Sequence, residues 1–217
     1  HTSSIIPTST MQKRHYTTCS PNPQGPPLKR LRYNKDDMVE PTAFDSVELL
    51  DLALQPLPNV LAIQLDSVRT RKCRQAEFLL GYYFDTGTPD VPPSTTRALY
   101  WYRRAAARGH VLACLNLGVI YDTGHQGRME CDYEAAVYWY FEAAKHGNAG
   151  AQFNLGRLLW AGKGLPKNLD VSLRFFKLAA RKGHSMAISN VGAMLVTGSG
   201  ATPDLRAARI WCLRAAN

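Results

Sequence analysis

The stretch Trp139-Tyr140-Phe141-Glu142-Ala143-Ala144-Lys145-His146-Gly147 decides the architecture, because the chain writes its outline four times. An aromatic residue comes first, an Ala-Ala pair starts four residues later, and a Gly follows four after that. Trp101, Ala105-Ala106 and Gly109 repeat it, and so do Phe175, Ala179-Ala180 and Gly183. Trp211 with Ala215-Ala216 opens a fourth copy. Self-similarity at a fixed period of about 20–50 residues marks stacked units, each too small to bury its own apolar face.

A second outline precedes each copy. Ala76, Leu80-Gly81 and Gly87 are matched by Ala113, Leu117-Gly118 and Gly124. Ala151, Leu155-Gly156 and Gly162 follow, then Ala187, Val191-Gly192 and Gly198. The first Gly recurs after 37, 38 and 36 residues. Each unit therefore reads as two helices. Gly inside a helix costs about 1 kcal/mol relative to Ala, so four at one register need a packing reason. The expectation is a close helix approach at Gly81, Gly118, Gly156 and Gly192. The Ala pairs that begin at Ala105, Ala143, Ala179 and Ala215, with Ala98, Ala136, Ser172 and Ala208, would supply the small facing surface. Trp101, Trp139, Phe175 and Trp211 would wedge between helices. The second Gly of each unit would end its first helix in a left-handed cap, and Gly109, Gly147 and Gly183 would end the second helices. Tyr140, Glu142, Lys145 and His146, which vary between copies, would be left to carry recognition.

The pattern A-x-x-x-L-G-x-x-Y-x-x-G … A-x-x-W-x-x-x-A-A-x-x-G, carried by Ala113, Leu117, Gly118, Tyr121, Gly124, Ala136, Trp139, Ala143, Ala144 and Gly147, resembles the Sel-one-like repeat, a close relative of the tetratricopeptide repeat. The resemblance covers residues 76–217. Phe84, Leu159 and Leu195 stand where the pattern has Tyr121, and Ser172 and Phe175 stand for its Ala and Trp. The loops Thr88 to Thr95 and His125 to Cys131 are longer than the family's usual connection. The resemblance implies an all-α, right-handed α-solenoid of about four helix pairs, with repeats at 76–112, 113–150, 151–186 and 187–217. It also implies a scaffold for other proteins, with no catalytic residue to carry over.

The preceding sequence is of another kind. Residues 1–43 are rich in Pro, Ser and Thr, a composition that cannot offset its ordering entropy by apolar burial. They read as an extended basic arm. Within it Lys29, Arg30, Arg32 and Lys35 interleave with Leu and Tyr. Three readings compete for this run: a nuclear import signal, a phosphate- or acid-contacting tail, and a solvated linker. Residues 44–75 read as two capping helices covering the first repeat. The second is expected to end in Arg69 to Arg74, whose cations, among them Arg71 and Lys72, suit a helix C-terminus.

The chain carries 26 Lys and Arg against 17 Asp and Glu, a net charge of +9, which favours an acidic partner: nucleic acid, an anionic membrane face or an acidic protein. A basic stripe on second helices, including Arg103 and Arg104, and a tyrosine stripe, Tyr82, Tyr83, Tyr100, Tyr102, Tyr133, Tyr138 and Tyr140, are the candidate binding surfaces. The plain alternative for both is a solvated or packed face.

Five cysteines without a C-x-x-C pair fit free thiols in a reducing compartment better than a disulfide framework. No apolar run reaches the ~18–20 residues that span a bilayer. No phosphate loop, nucleophile elbow or zinc motif is present. Gly162-Lys163-Gly164 reads as a turn, and His110 and His184 as turn residues. The expectation is a protein without catalytic activity, cofactor, metal or small-molecule substrate. It would join protein subunits in a large assembly, a ribosome or respiratory complex, with rRNA as one partner for the arm. A mitochondrial setting is expected, the start at His1 leaving room for a removed transit peptide; a free adaptor in cytosol or nucleus is the alternative.

Overall fold

The computed structural model describes residues 73–88 and 91–216, except the side chains of Gln126, Ala215 and Ala216. The arm, most of the proposed cap, and the candidate contacts Lys29, Arg30, Arg32, Lys35, Arg71 and Lys72 lie outside the described residues. Eight helices follow: α1 Arg74–Thr86, α2 Thr95–Ala107, α3 Val111–Gly127, α4 Tyr133–Lys145, α5 Ala149–Ala161, α6 Leu169–Arg181, α7 Ser185–Thr197 and α8 Leu205–Ala216. Among the described residues the one extended pairing is an isolated bridge between Thr88 and Val91 in the α1–α2 loop. Each odd helix packs on the even helix after it, and each pair packs on the next. The result is an all-α solenoid of four helix pairs.

Each first helix starts two residues before its signature Ala, and in α3, α5 and α7 a side-chain cap explains why. The side chains of His110, Asn148 and His184 accept the backbone N–H of Ala113, Ala151 and Ala187. That places the Ala in the third helical position, where its N–H has no intrahelical acceptor. All four of these alanines are buried, so a larger side chain would meet the neighbouring helix. The proposed cap boundary shifts accordingly. Arg74 and Gln75 open α1 rather than close an earlier helix, because the extended backbone at Cys73 separates them from what precedes.

The Ala pair has a second role. Gly109 N–H donates to the Ala106 carbonyl at 2.8 Å and His110 N–H to Ala105 at 3.0 Å. The same two bonds recur at Gly147 and Asn148, and at Gly183 and His184. This Schellman arrangement needs positive φ at the Gly, 77° at Gly109 and Gly147 and 83° at Gly183. One three-residue turn therefore ends a second helix and caps the next first helix.

The glycines that end first helices behave less uniformly than expected. Gly162 and Gly198 are left-handed caps. Gly87 has positive φ with extended ψ of 164°. Gly124 does not end its helix. Gly124 and His125 both take positive φ, and α3 continues to Gly127. The longer loop of this repeat is accommodated by that extension.

The core has two clusters, one from Ala76 to Leu158 and one from Phe153 to Ala208. Trp101 and Trp139 are buried, as the wedge expectation requires, whereas Phe175 and Trp211 are only half-buried. The close approach at the helical glycines also differs from expectation. Built on Gly81, a Cβ would lie 2.5 Å from the ring of Tyr102; on Gly156, 2.8 Å from Phe176; on Gly192, 2.8 Å from Cys212 Sγ. The Gly therefore receives the residue after the wedge, laid flat across it. The small face contributes beside it: Ser172 Oγ donates to the Gly156 carbonyl at 2.7 Å.

Candidate interaction surface

Packing spends most of the residues that sequence left open. Arg104 reaches the fully buried Glu77 at 3.3 Å, donates to Tyr100 OH at 2.8 Å and lies over the rings of Tyr100 and Trp101. Arg108 Nε sits 3.3 Å from the other Glu77 oxygen. Burial raises the Glu77 carboxyl above the ordinary range, and the two guanidiniums oppose that rise. Arg103 is half-buried, donating to Tyr121 OH and covering that ring. Arg104 is thus an internal counter-charge and Arg103 a ring cover, not a free basic surface. The sequence hid this because Glu77 lies in the other helix of the repeat, far along the chain from its partners.

The tyrosine stripe is corrected in the same way. Tyr102 and Tyr140 are buried against Gly81 and Gly118, so Tyr140 is not free for recognition. Tyr83, Tyr100, Tyr133 and Tyr138 are half-buried, and only Tyr82 is exposed. Glu142 and Lys145 pair with each other at 2.7 Å, while Lys145 and His146 stay exposed. Lys163, in the turn of the Gly162-Lys163-Gly164 run, donates to Tyr133 OH at 3.1 Å across the repeat junction.

A polar seam joins the first two repeats. Tyr102 OH donates to Asp85 Oδ2 at 3.2 Å and accepts from Asn116 Nδ2 at 2.9 Å. His125 Nε2 lies 2.8 Å from Asp85 Oδ1, and its Nδ1 meets the Thr95 hydroxyl. Burial, then the Asp85 charge, raise the Tyr102 hydroxyl far above its ordinary value. The next junction repeats the theme: Tyr140 OH donates to Asp122, which pairs with Arg157. Burial raises the Asp122 carboxyl, against the pull of Arg157. In repeats three and four both partners change together. Phe176 and Cys212 replace the tyrosines, and Trp160 and Val196 replace the aspartates. That coupled replacement was the available signal: the residue after the wedge and the residue four past the helical Gly vary as a pair.

What packing leaves free is one face of the first helices. At 3.6 residues per turn, Trp160 and Val196, then Tyr82, then Leu112 and Met186 lie about 40°, 100° and 120° round the helix from the helical Gly, within one arc of about 80°. All five are exposed large apolar residues. Half-buried Asn116, Asn154 and Asn190 stand at one register beside them. α1 touches α3 and α3 touches α5 directly, so these three helices form a continuous wall.

Cys73, Cys114 and Cys212 are free thiols, whereas Cys131 is disulfide-bonded, so the all-thiol expectation fails there. Burial pushes the Cys114 thiol up to about 11, the state of an inert small hydrophobe. Burial lowers the imidazoles of His110 and His184, and Arg74 adds to the effect at His110. None of the described helices is long and apolar enough to cross a membrane.

These features agree with the comparisons. The family model described as Sel1 repeat matches four times, at residues 74–110, 111–148, 149–184 and 185–217. No curated protein sequence matches the chain. Among solved structures, the chain is similar to a protective antigen of uropathogenic Escherichia coli displaying an SLR fold. Identity is 33%, the TM-score is 0.67, and the match covers 72% of this chain and 32% of that one. It is also similar to a Sel1 repeat protein from Oxalobacter formigenes, with 26% identity, a TM-score of 0.61, and coverage of 74% and 68%. The chain thus spans about a third of the first of these proteins. Sel1 repeats are protein–protein interaction scaffolds, and with four of them placed on the four observed helix pairs, the chain belongs to the Sel1 repeat family.

Proposed function

We propose that the chain is a non-catalytic scaffold that holds a protein partner on its first-helix wall, as an accessory subunit of a larger assembly. One observation carries this reading: Tyr82, Leu112, Trp160, Met186 and Val196 are large apolar residues left exposed on the first helices. Single exposed apolar residues are ordinary. Five on one wall, with polar Asn116, Asn154 and Asn190 among them, are the anchor-and-rim composition of an interface. The setting proposed is an organellar assembly, a mitochondrial ribosome or respiratory complex, with rRNA or acidic protein meeting Lys29, Arg30, Arg32 and Lys35. The net charge of +9 supports an anionic partner. A free adaptor in cytosol or nucleus is the competing reading.

The test is sedimentation of the tagged full-length protein from cells, with and without ribonuclease, beside its localisation. Migration in a megadalton particle supports the subunit reading, and release by ribonuclease selects the ribosome. A monomeric peak in cytosol or nucleus overturns it.

A further inference from the structure

The charge of the solenoid is divided along its axis. Residues 73–148 hold seven Lys and Arg and eight Asp and Glu. Residues 149–216 hold ten Lys and Arg and two Asp and Glu. The division is sharpest on the outward ridge of the second helices. In α4 that ridge presents Glu134, Tyr138 and Glu142. At the matching positions α6 presents Asp170, Arg174 and Leu178, with Arg181 one turn on, and α8 presents Arg206, Ile210 and Arg214. Arg174, Leu178, Arg181, Arg206, Ile210 and Arg214 are all exposed. The matching positions in α4 are half-buried, whereas those in α6 are exposed although another repeat packs beside that helix.

Among the described residues little neutralises it. Arg174 pairs with Asp170 at 2.9 Å, but both side chains are mostly exposed, and solvent screens such a pair. Asp204 is engaged as the cap of α8, accepting the Ala207 N–H at 2.9 Å. By contrast, the buried carboxylates of the first half are matched by Arg104, Arg108 and Arg157.

We propose that the outward ridge of repeats three and four is a docking surface for an acidic segment of a partner protein. This rests on the scaffold reading and adds a second surface, on the opposite side from the first-helix wall. Charge complementarity selects the occupant: like charges facing across an interface are costly, and opposite charges raise the association rate. Arg supplies most of the ridge, and its planar fork matches carboxylates two bonds at a time. Leu178 and Ile210 lie between the arginines at helical spacing, which suits carboxylates alternating with apolar anchors. Single-stranded RNA would instead call for exposed aromatic platforms, and this ridge presents none.

The experiment uses the full chain. A fluorescein-labelled peptide of alternating Glu-Glu-Leu units is titrated, beside oligo(U) RNA and phosphatidylserine vesicles. The peptide should bind in the micromolar range and weaken tenfold or more between low and physiological salt. Arg174→Glu, Arg206→Glu and Arg214→Glu together should weaken it at least tenfold, with an unchanged thermal melt. Glu134→Lys with Glu142→Lys should not weaken it. An unaffected triple variant overturns the proposal, and so does tighter binding of RNA or vesicles than of peptide. A cellular partner that stays bound to the triple variant would keep the scaffold reading while removing this surface from it.

Discussion

Gly118 and Tyr140 meet with no room for a methyl group between them: a side chain at Gly118 would clash with the edge of the tyrosine ring. The ring is buried and its hydroxyl is tied to Asp122, so it cannot swing away. Gly118→Ala would gain about 1 kcal/mol of helix propensity and meet an overpacking cost of about 1–3 kcal/mol, more where the ring is held. Urea unfolding should therefore show a net loss of about 1–2 kcal/mol. Gly192→Ala should cost less, because its neighbour Cys212 is exposed and can yield. Equal effects at the two sites would contradict this account.

Acid should weaken the turns that join repeats. His110 and His184 cap α3 and α7 by accepting through Nδ1, which only a neutral imidazole does. Phe78 and Phe153 stack on these rings at 4.4 and 4.5 Å. Burial lowers both imidazoles in the folded chain. The sign follows: the caps contribute fully above the unfolded histidine value of about 6.5, and their contribution is lost as pH falls through the lowered folded value. The double variant His110→Asn, His184→Asn copies the cap that Asn148 provides. Melts over pH 7 to 4 should show a shallower acid loss for the variant than for the parent. Parallel curves would exclude the histidine caps as the cause.

The repeat was legible because offsets are seen four times over, which no single helix offers. Trp139, Ala143 and Gly147 took their packing and capping positions from spacing alone. Tyr140 was misplaced because one residue turns a helix by about 100°, and spacing does not say which neighbour of the wedge faces the Gly. Arg103 and Arg104 were misplaced for another reason. A charge looks solvated in sequence until its partner is found: Glu77, in the other helix of the repeat, for Arg104, and Tyr121, in the next repeat, for Arg103. The extension of α3 past Gly124 was hidden because one Gly serves equally as a stop and as a left-handed bend. The first-helix wall is what remains after packing is accounted for, so only the three-dimensional arrangement could define it.

Arg104→Ala should lower stability by about 2 kcal/mol, the scale of a hydrogen bond to a charged group. The loss combines the Glu77 contact with the cover over Trp101. Because burial already raises the Glu77 carboxyl, Glu77→Gln should cost less than removing Arg104 and Arg108 together, which strands a buried charge. Denaturant midpoints of the three variants decide the order. A surface role for Arg104 would instead leave the midpoint unchanged.

Trp160 separates binding from folding. It sits at the register where Asp85 and Asp122 hold the junctions of the first two repeats, yet Phe176 gives it no hydroxyl to meet. It is 53% exposed, with Lys167 resting 5.8 Å from its ring. Trp160→Glu should therefore change stability by no more than about 0.5 kcal/mol, the usual range for surface substitutions. An anchor at the centre of an interface typically costs 2 kcal/mol or more of binding when lost, about thirtyfold in affinity. Retention of the natural partner by the tagged variant, read beside its melting curve, tests both halves. A folded variant that keeps its partner would show that the first-helix wall is not where that partner binds.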